Sequence, residues 1–450
     1  MAPTDAPGQA TCERVLALVG GRADAALVTC TTGTSSLTRF ANSRIHQNVS
    51  EELAAVGLTV ALADGRVAQA SSTRTGPDEL AALVERAVAA AELAPPDPDF
   101  AGFADGGDQP PVEHFDEGTA AATAEDRAHV VAAFVTAAGE LEAAGYCSTE
   151  AHTLVLATST GVQRAARSST AQLDGVHRVL GSAHPADGYA QATSVRLADL
   201  DGVACGAVAA SKARSGVDPV ELPPGDYEVV LEPRAVANAL LFPAYLGFNG
   251  KAHADGTSFV HLGEPQWADE VEIWDDATDP RALGVPFDAE GTAKGRVELV
   301  RAGRSVGLVH DRRSARLAGT TSTGHSVGSP SFGAFPANLF LGGGTASPAE
   351  LVAGVGRGLL VTDLWYNRIL DPKTQVVTGL TRNGLFLVED GRIAGPVQNL
   401  RYTQSIVAGF GPGRVRGLAG DAQLVSNEGG VAHVPTVHLA SWSFTGNARG

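Results

Sequence analysis

The sequence predicts an α+β protein: an N-terminal domain mixing a sheet with helices, then a mostly antiparallel β domain that curves or partly closes into a barrel. Three observations lead there. Two long helical stripes lie in the first half among extended segments, Gly-containing hairpin turns multiply in the second half, and a turn-rich stretch separates the two. At 450 residues the chain also exceeds the roughly 100 to 200 expected of one domain.

Residues 37–70 read as extended, with Ala63-Asp64-Gly65-Arg66 as a hairpin turn. A helix starts at Pro77, whose missing N–H costs nothing in a first turn, and its stripe Leu80, Leu83, Val84, Ala87, Val88 and Ala91 runs to the stop at Pro95-Pro96. About 95–119 is rich in Pro, Gly and Asp without a period and reads as a surface linker. A second helix is expected over 124–144, with Val130, Val131, Phe134, Val135, Ala138 and Leu141 on one face and Gly145 as its left-handed stop. Strands are expected at 153–157 and 162–166.

The turn residues Asp218-Pro219 and Pro223-Pro224-Gly225 place the boundary between a domain of residues 1–218 and one of 219–450. Beyond it, Arg301-Ala302-Gly303-Arg304 and Glu389-Asp390-Gly391-Arg392 are hairpin turns between apolar strands, the first joining 297–300 to 306–309. Helices are expected near 234–246 and 348–355. No fixed internal period is present, which excludes a solenoid.

Lys plus Arg number 33 against 50 Asp plus Glu, a net charge of −17, the wrong sign for a nucleic-acid binder. Met1 to Cys12 lack a basic start and an apolar run of signal-peptide length, and no later stretch approaches the roughly 20 apolar residues of a membrane span, so a cytoplasmic location without membrane contact is expected. Cys12, Cys30, Cys147 and Cys205 form no CxxC pair and read as reduced, half-buried thiols.

The order of several short blocks is informative. Thr38-Arg39-Phe40-Ala41-Asn42-Ser43-Arg44-Ile45, Val56-Gly57-Leu58, Ser159-Thr160-Gly161 and the run from Pro224-Gly225-Asp226-Tyr227 to Glu232-Pro233 are followed by Asp275-Asp276, Phe287-Asp288-Ala289-Glu290-Gly291 and Thr321-Ser322-Thr323-Gly324-His325. Pro336-Ala337-Asn338-Leu339, Gly358-Leu359-Leu360-Val361-Thr362, Gly384-Leu385-Phe386 and Phe444-Thr445-Gly446 complete the series. In content and order these blocks resemble the TldD/PmbA family of two-subunit metallopeptidases over nearly the whole chain. One subunit type of that family carries His-Glu-x-x-x-His on a helix and a distant cysteine, a set able to hold zinc and activate water.

This sequence departs from that pattern. None of its 12 histidines precedes a glutamate, the corresponding helix reads Ala239-Leu240-Leu241-Phe242-Pro243-Ala244-Tyr245-Leu246-Gly247, and no cysteine follows Cys205. Phe242, Pro243 and Gly247 stand approximately where the two histidines and the glutamate would be. The chain is therefore similar to the PmbA branch, also called TldE, and the resemblance implies no catalytic or metal-binding residue in this chain. It further implies a TldD-like partner bearing the zinc, a small or unfolded peptide as substrate, and Asn249, His253, Thr323 and His325 as chamber or peptide contacts. A homodimer is expected to be possible when the chain is isolated. A stand-alone peptide-binding or regulatory protein is the alternative.

Other polar groups read as structural. His433 and His438, placed on one strand, would point to opposite faces. His253, Asp255 and His261 read as solvated groups of a flexible loop. Asp275 and Asp276 read as turn caps facing water, and Asp288 with Glu290 as turn chemistry. Ser322, Thr323 and His325 lack the surroundings of a nucleophile elbow, and the runs Gly342-Gly343-Gly344 and 409–413 lack the Lys-Ser/Thr of a phosphate loop.

Overall fold

A computed structural model describes residues 6–181, 186–427 and 429–448. After α1 (Gln9–Val19), the long hairpin β1 (Ala25–Ala41) and β2 (Arg44–Ala61) turns through Asn42 and Ser43, both at positive φ. There follow β3 (Val67–Ser72), α2 (Pro77–Leu93), α3 (Glu117–Ala120), α4 (Ala124–Thr136), β4 (Glu142–Thr158), β5 (Gln163–Val179), β6 (Ala186–Ser194) and α5 (Gly202–Ser215). The six strands form one antiparallel sheet in the order β3-β2-β1-β4-β5-β6. Helices α1 and α2 bury Cys12, Val15, Leu83 and Val84 against Val28, Cys30, Val56 and Leu58, while α4 and α5 pack Phe134 and Ala209 with Phe40, Cys147 and Leu173.

The helix expected over 124–144 stops at Thr136. Gly139, at φ +65, reverses the chain, and Leu141 begins the approach to β4. Gly145 lies inside that strand, so it is not a helix stop. The apolar residues Ala143, Cys147 and Ala151 there alternate into the core with period 2, a short pattern easily absorbed into a preceding helical stripe.

The stretch 95–119 is no mere surface excursion. Phe103 packs with Leu27, Leu156 and Phe287, and the buried His114 places Nε2 3.0 Å from the carbonyl of Ala277, joining the first half to the second. Its backbone is tied to neighbouring segments at points such as Asp97 N to the Gly65 carbonyl, Ala104 N to the Glu290 carbonyl and the His114 carbonyl to Ser169 N, which a composition rich in Pro and Gly does not reveal.

The second half begins with β7 (Gly225–Leu231), α6 (Pro233–Phe242), α7 (Gly250–Ala254), β8 (Ile273–Asp275), β9 (Val297–Arg301), β10 (Arg304–Ser305), α8 (Arg312–Leu317), β11 (Asn338–Leu341) and α9 (Pro348–Ala353). It continues with β12 (Arg357–Asp371), β13 (Val376–Glu389), β14 (Arg392–Pro396), β15 (Leu400–Ser405), α10 (Ile406–Gly409), β16 (Val415–Leu418), β17 (Gln423–Asn427), β18 (Gly430–Val434) and β19 (Val437–Asn447). Strands β12, β7, β19, β15 and β13 pair in that order, and β13 returns to β12, so the expected partial barrel is a closed ring with β14 and β16 attached. A second sheet runs β10-β9-β8-β11-β18-β17. Pairing is antiparallel except for β7 with β12 and β11 with β18. The strand expected at 306–309 is not formed: the hairpin's second strand is β10 at Arg304–Ser305, and the chain leaves the ladder after Val306 and Gly307 both donate to the Leu299 carbonyl.

Candidate functional site

Helix α6 enters on Pro233 and buries Val236, Ala237 and Leu240 in the main core of the second half. Its polar residues Arg234 and Asn238, one turn apart, share a face. Arg234 Nε lies 3.3 Å from Asp363 Oδ2 and Asn238 Nδ2 donates to Asp363 Oδ1 at 2.8 Å. Arg234 Nη1 also donates to Gln191 Oε1 of β6 at 2.7 Å, and its guanidinium stacks 4.6 Å above the Tyr189 ring. Burial pushes the Asp363 carboxyl above the ordinary range, with Arg234 opposing the shift. This network, spanning both halves of the chain, was not singled out from the sequence, although two polar residues at i and i+4 on an otherwise apolar helix were its signal.

After Phe242 the helix widens into one π turn over Pro243–Gly247, closed by Phe248 N–H donating to the Pro243 carbonyl at 2.8 Å. Pro243 is buried and Phe242 packs against the core. Gly247 is required by contact: a Cβ there would lie 2.0 Å from Phe259 Cε1. Tyr245, half-exposed, meets Phe332 edge-on at 4.6 Å between ring centres. The three positions that the resemblance aligned with the zinc motif are thus filled by packing groups. Among the described residues no three His, Cys, Asp or Glu side chains are close enough to hold a metal ion.

Of the four chamber candidates, Thr323 and His325 belong to one bonded cluster around His310, and Asn249 stands beside it with bonds of its own. Asn249 caps α7, accepting from Lys251 N at 2.9 Å and donating to the Phe332 carbonyl at 2.9 Å. Thr323 Oγ1 accepts from His310 N at 2.7 Å, and His325 Nδ1 lies 2.8 Å from the Thr323 carbonyl. The buried His310 ring packs on Gly250, its Nδ1 3.2 Å from Ser314 Oγ. Only His253 projects into solvent, from a short helix rather than the flexible loop expected.

Asp275 departs from its expected place facing water. It is buried, with Oδ1 2.7 Å from His325 Nε2 and Oδ2 accepting from Asn338 N at 2.6 Å. Asp276, also buried, does cap a turn, taking Thr278 N and Oγ1. His433 and His438 occupy two different strands, β18 and β19, with His438 Nε2 2.8 Å from Glu228 Oε1. Three of the four cysteines, Cys12, Cys30 and Cys147, are fully rather than half buried.

Asp288 performs the expected turn chemistry, accepting from Glu290 N and Thr292 N at 3.0 and 2.9 Å, and also fastens the neighbouring loop through Ser326 N at 3.0 Å. Glu290 faces a cavity of about 480 Å³ between the first sheet and these loops. Burial, assisted by Asp288 and Asp311, pushes its carboxyl up to about 7, against the Arg312 N–H it accepts at 3.0 Å. Burial likewise lowers the Lys294 ammonium, with Asp275 and Asp288 pulling the other way.

A cleft of about 590 Å³ lies between α5 and β6 of the first half and β7, α6, α9, β12, β14 and β17 of the second. Its walls include Val208, Val230, Val352, Leu360, Ile393 and Val425. Lys212 Nζ pairs with Glu232 Oε2 at 2.5 Å on its side, and Arg234 stands at one end. Such a cleft, apolar with a few convergent polar groups, is the usual form of a ligand site.

Comparison with known proteins places this architecture. Residues 28–91 match the family model for PmbA/TldA metallopeptidase domain 1, and residues 224–446 match that for the PmbA/TldA metallopeptidase C-terminal domain. The chain belongs to the PmbA/TldD metallopeptidase-related family. Among solved structures it is similar to TldE from Thermococcus kodakarensis, with 17% identity and a TM-score of 0.87, covering 97% of this chain and 100% of that one. It is also similar to two proteins described as candidate modulators of DNA gyrase. One, from Thermotoga maritima, shows 17% identity and a TM-score of 0.81 over 98% of this chain and all of its own. The other, from Bacteroides thetaiotaomicron, shows 18% identity and a TM-score of 0.84 over 99% of this chain and all of its own. At these identities the likeness is one of fold. No curated protein matches the sequence significantly. No helix among the described residues is long and apolar enough to cross a membrane.

Proposed function

We propose that this chain is the TldE/PmbA-like, non-metal subunit of a two-subunit peptidase whose TldD-like partner holds the zinc and cleaves small or unfolded peptides in the cytoplasm. The observation that carries this reading is local. Phe242, Pro243 and Gly247, which the resemblance places approximately at the zinc-motif positions, are packing groups of α6 and its π turn, and Gly247 has no room for any side chain beside Phe259. A stable body whose metal-bearing helix has become core suits a chain that supplies walls and positioning backbone while its partner supplies zinc-bound water.

Co-expression with a His-Glu-x-x-x-His homologue tests this. A complex of the two chains on size analysis, with peptide hydrolysis that a chelator abolishes, is the expected result. The alternative is a stand-alone peptide-binding or regulatory protein, and it gains ground if the two chains stay apart or the isolated chain only pairs with itself. Direct DNA contact, which the gyrase-modulator descriptions of two similar structures bring to mind, is disfavoured by the net charge of −17.

A further inference from the structure

Between Trp365 and Arg368, β12 takes three steps while β13 takes two, from Leu380 to Thr378, so one extra residue bulges out of the ladder. Tyr366 sits in that bulge at φ +55, a strained value for an aromatic residue. The bulge is fixed from the inside: Asn367 Oδ1 accepts from the buried Tyr402 hydroxyl at 2.5 Å, and Asn367 Nδ2 donates to the Leu364 carbonyl at 2.9 Å.

On the outside it lines up four side chains. The Arg382 guanidinium lies 4.0 Å from the Trp365 ring centre, the Trp365 and Tyr366 ring centres are 5.4 Å apart, and the Arg368 guanidinium lies 4.4 Å from the Tyr366 ring centre. Trp365, Tyr366 and Leu370 stand 42%, 58% and 59% exposed. Apolar residues exposed singly are ordinary, but rings gathered in one rigid patch mark a contact surface, and Trp, Tyr and Arg are the types that carry most of the binding energy between proteins.

Charge narrows the occupant. Residues 365–382 and 400–405 hold one acidic residue, Asp371, against Arg368, Lys373, Arg382 and Arg401, on a chain of net charge −17. Asp371 is engaged within its own turn, taking Lys373 N and Thr374 Oγ1. Arg401 shares the face of Trp365, because Leu380 pairs with both. A two-fold contact between copies of this chain would set these cations against themselves, whereas a different chain can meet them with carboxylates.

We propose that this outward face of the barrel, centred on Trp365 and Tyr366, docks a different protein chain whose contact region is apolar and rimmed with carboxylates. The proposal rests on the subunit reading for the identity of that chain, the TldD-like partner. The bulge holds the rings in place before contact, so little side-chain freedom is lost on docking.

The test measures binding of the purified full chain to a purified His-Glu-x-x-x-His homologue by biolayer interferometry. Saturable binding that weakens as salt is raised is expected. Trp365→Ala should weaken it about tenfold or more, and so should Tyr366→Asn, which keeps a residue tolerant of positive φ. Arg382→Glu should act chiefly by slowing association. Leu93→Arg, 88% exposed on α2, should change nothing, and melting temperatures close to that of wild type show that each variant is folded. Binding that none of the three face variants alters overturns the inference and leaves the subunit reading standing, whereas no binding by the wild type removes both. Two further results would also overturn the inference: a dimer of the isolated chain that Trp365→Ala splits in sedimentation, which assigns the face to a second copy, and binding of a single-stranded oligonucleotide that Trp365→Ala abolishes, which makes it a base-stacking platform.

Discussion

His325 Nε2 and Asp275 Oδ1 stand 2.7 Å apart, each side chain 1% exposed, on segments 50 residues apart in sequence. The carboxylate's other oxygen takes the first N–H of β11, so the pair joins the loop after α8 to the middle of a sheet. A catalytic dyad would need solvent or substrate access, and this one has neither; it holds the loop in place. His325→Ala would leave Asp275 buried with half its partners, at a cost on the order of 3 kcal/mol. Urea denaturation should show the midpoint fall with an unchanged slope. A loss below about 1 kcal/mol would mean that the pair does not hold the loop.

Arg234 and Asp363 form the matching device between α6 and the barrel. Arg234→Met would keep the length of the side chain and strand the carboxylate, destabilising the fold by about 3 kcal/mol at neutral pH. The sign of the pH dependence follows from burial, which already raises the Asp363 carboxyl. A raised folded-state value favours the folded form at low pH, and that advantage disappears as pH rises through it. The variant should therefore recover much of its deficit between pH 7 and pH 4, as read from thermal melts in matched buffers. A deficit constant across that range would argue against an unpaired charge.

Much of this fold was legible because its signals are local. The stripe from Leu80 to Ala91 gave α2, and the turns at Gly65, Gly303 and Gly391 gave three hairpins. Collinear short blocks gave the family. What stayed hidden is non-local: Asp275 reads as a solvated turn residue until His325 and Asn338 close over it, and Arg234 stands out only once β6 and β12 bring Gln191 and Asp363 to it. The end of α4 was misplaced because Ala138 and Leu141 continue its spacing by chance while Gly139 reverses the chain between them. The cleft has no sequence signature, since its lining is gathered from eight elements of both halves.

Glu290 supplies a second pH-dependent prediction, of the same sign. Its carboxyl is pushed up to about 7 from an ordinary 4.5, so the folded state holds a proton that the unfolded chain gives up. Stability from this group is complete below about pH 4.5 and is lost as pH rises to about 7. Glu290→Gln keeps an acceptor for the Arg312 N–H and removes the titration. It should be more stable than wild type at pH 8 by about 1 kcal/mol after solvent screening, and equal to it at pH 4. Equal stability of the two proteins at both pH values would place Glu290 in the ordinary carboxylate range.

The stretch 95–105 is strapped to α8 by three arginines. Arg313 pairs with Asp97, Arg312 donates to the Gly102 carbonyl at 3.1 Å and reaches Asp105, and Arg316 donates to the Phe100 carbonyl at 3.3 Å. Arg313→Glu places like charges at Asp97 and Asp99 and should loosen the strap without unfolding either sheet. Limited proteolysis should then cut within 97–110 several-fold faster than in wild type, and wild type itself should become more susceptible at high salt, which screens these pairs. Unchanged cleavage would assign the hold on this segment to Phe103 and His114 alone.

The packed π turn makes the last prediction, which concerns the proposed division of labour. If zinc chemistry belongs to the partner, restoring the motif here by Phe242→His, Pro243→Glu and Gly247→His should not restore a site. A side chain at position 247 would begin 2.0 Å from Phe259 Cε1, inside a buried cluster that also holds Phe248 and Trp267. Overpacking of this kind costs about 1–3 kcal/mol, and Gly247→Ala alone should show it as a lower melting temperature. The triple variant should be less stable still, and inductively coupled plasma analysis should find less than stoichiometric zinc in it. If it instead melted like wild type, bound one zinc and cleaved peptides, the α6 region would have kept the space of a metal centre, and the assignment of that centre to another chain would lose its physical basis.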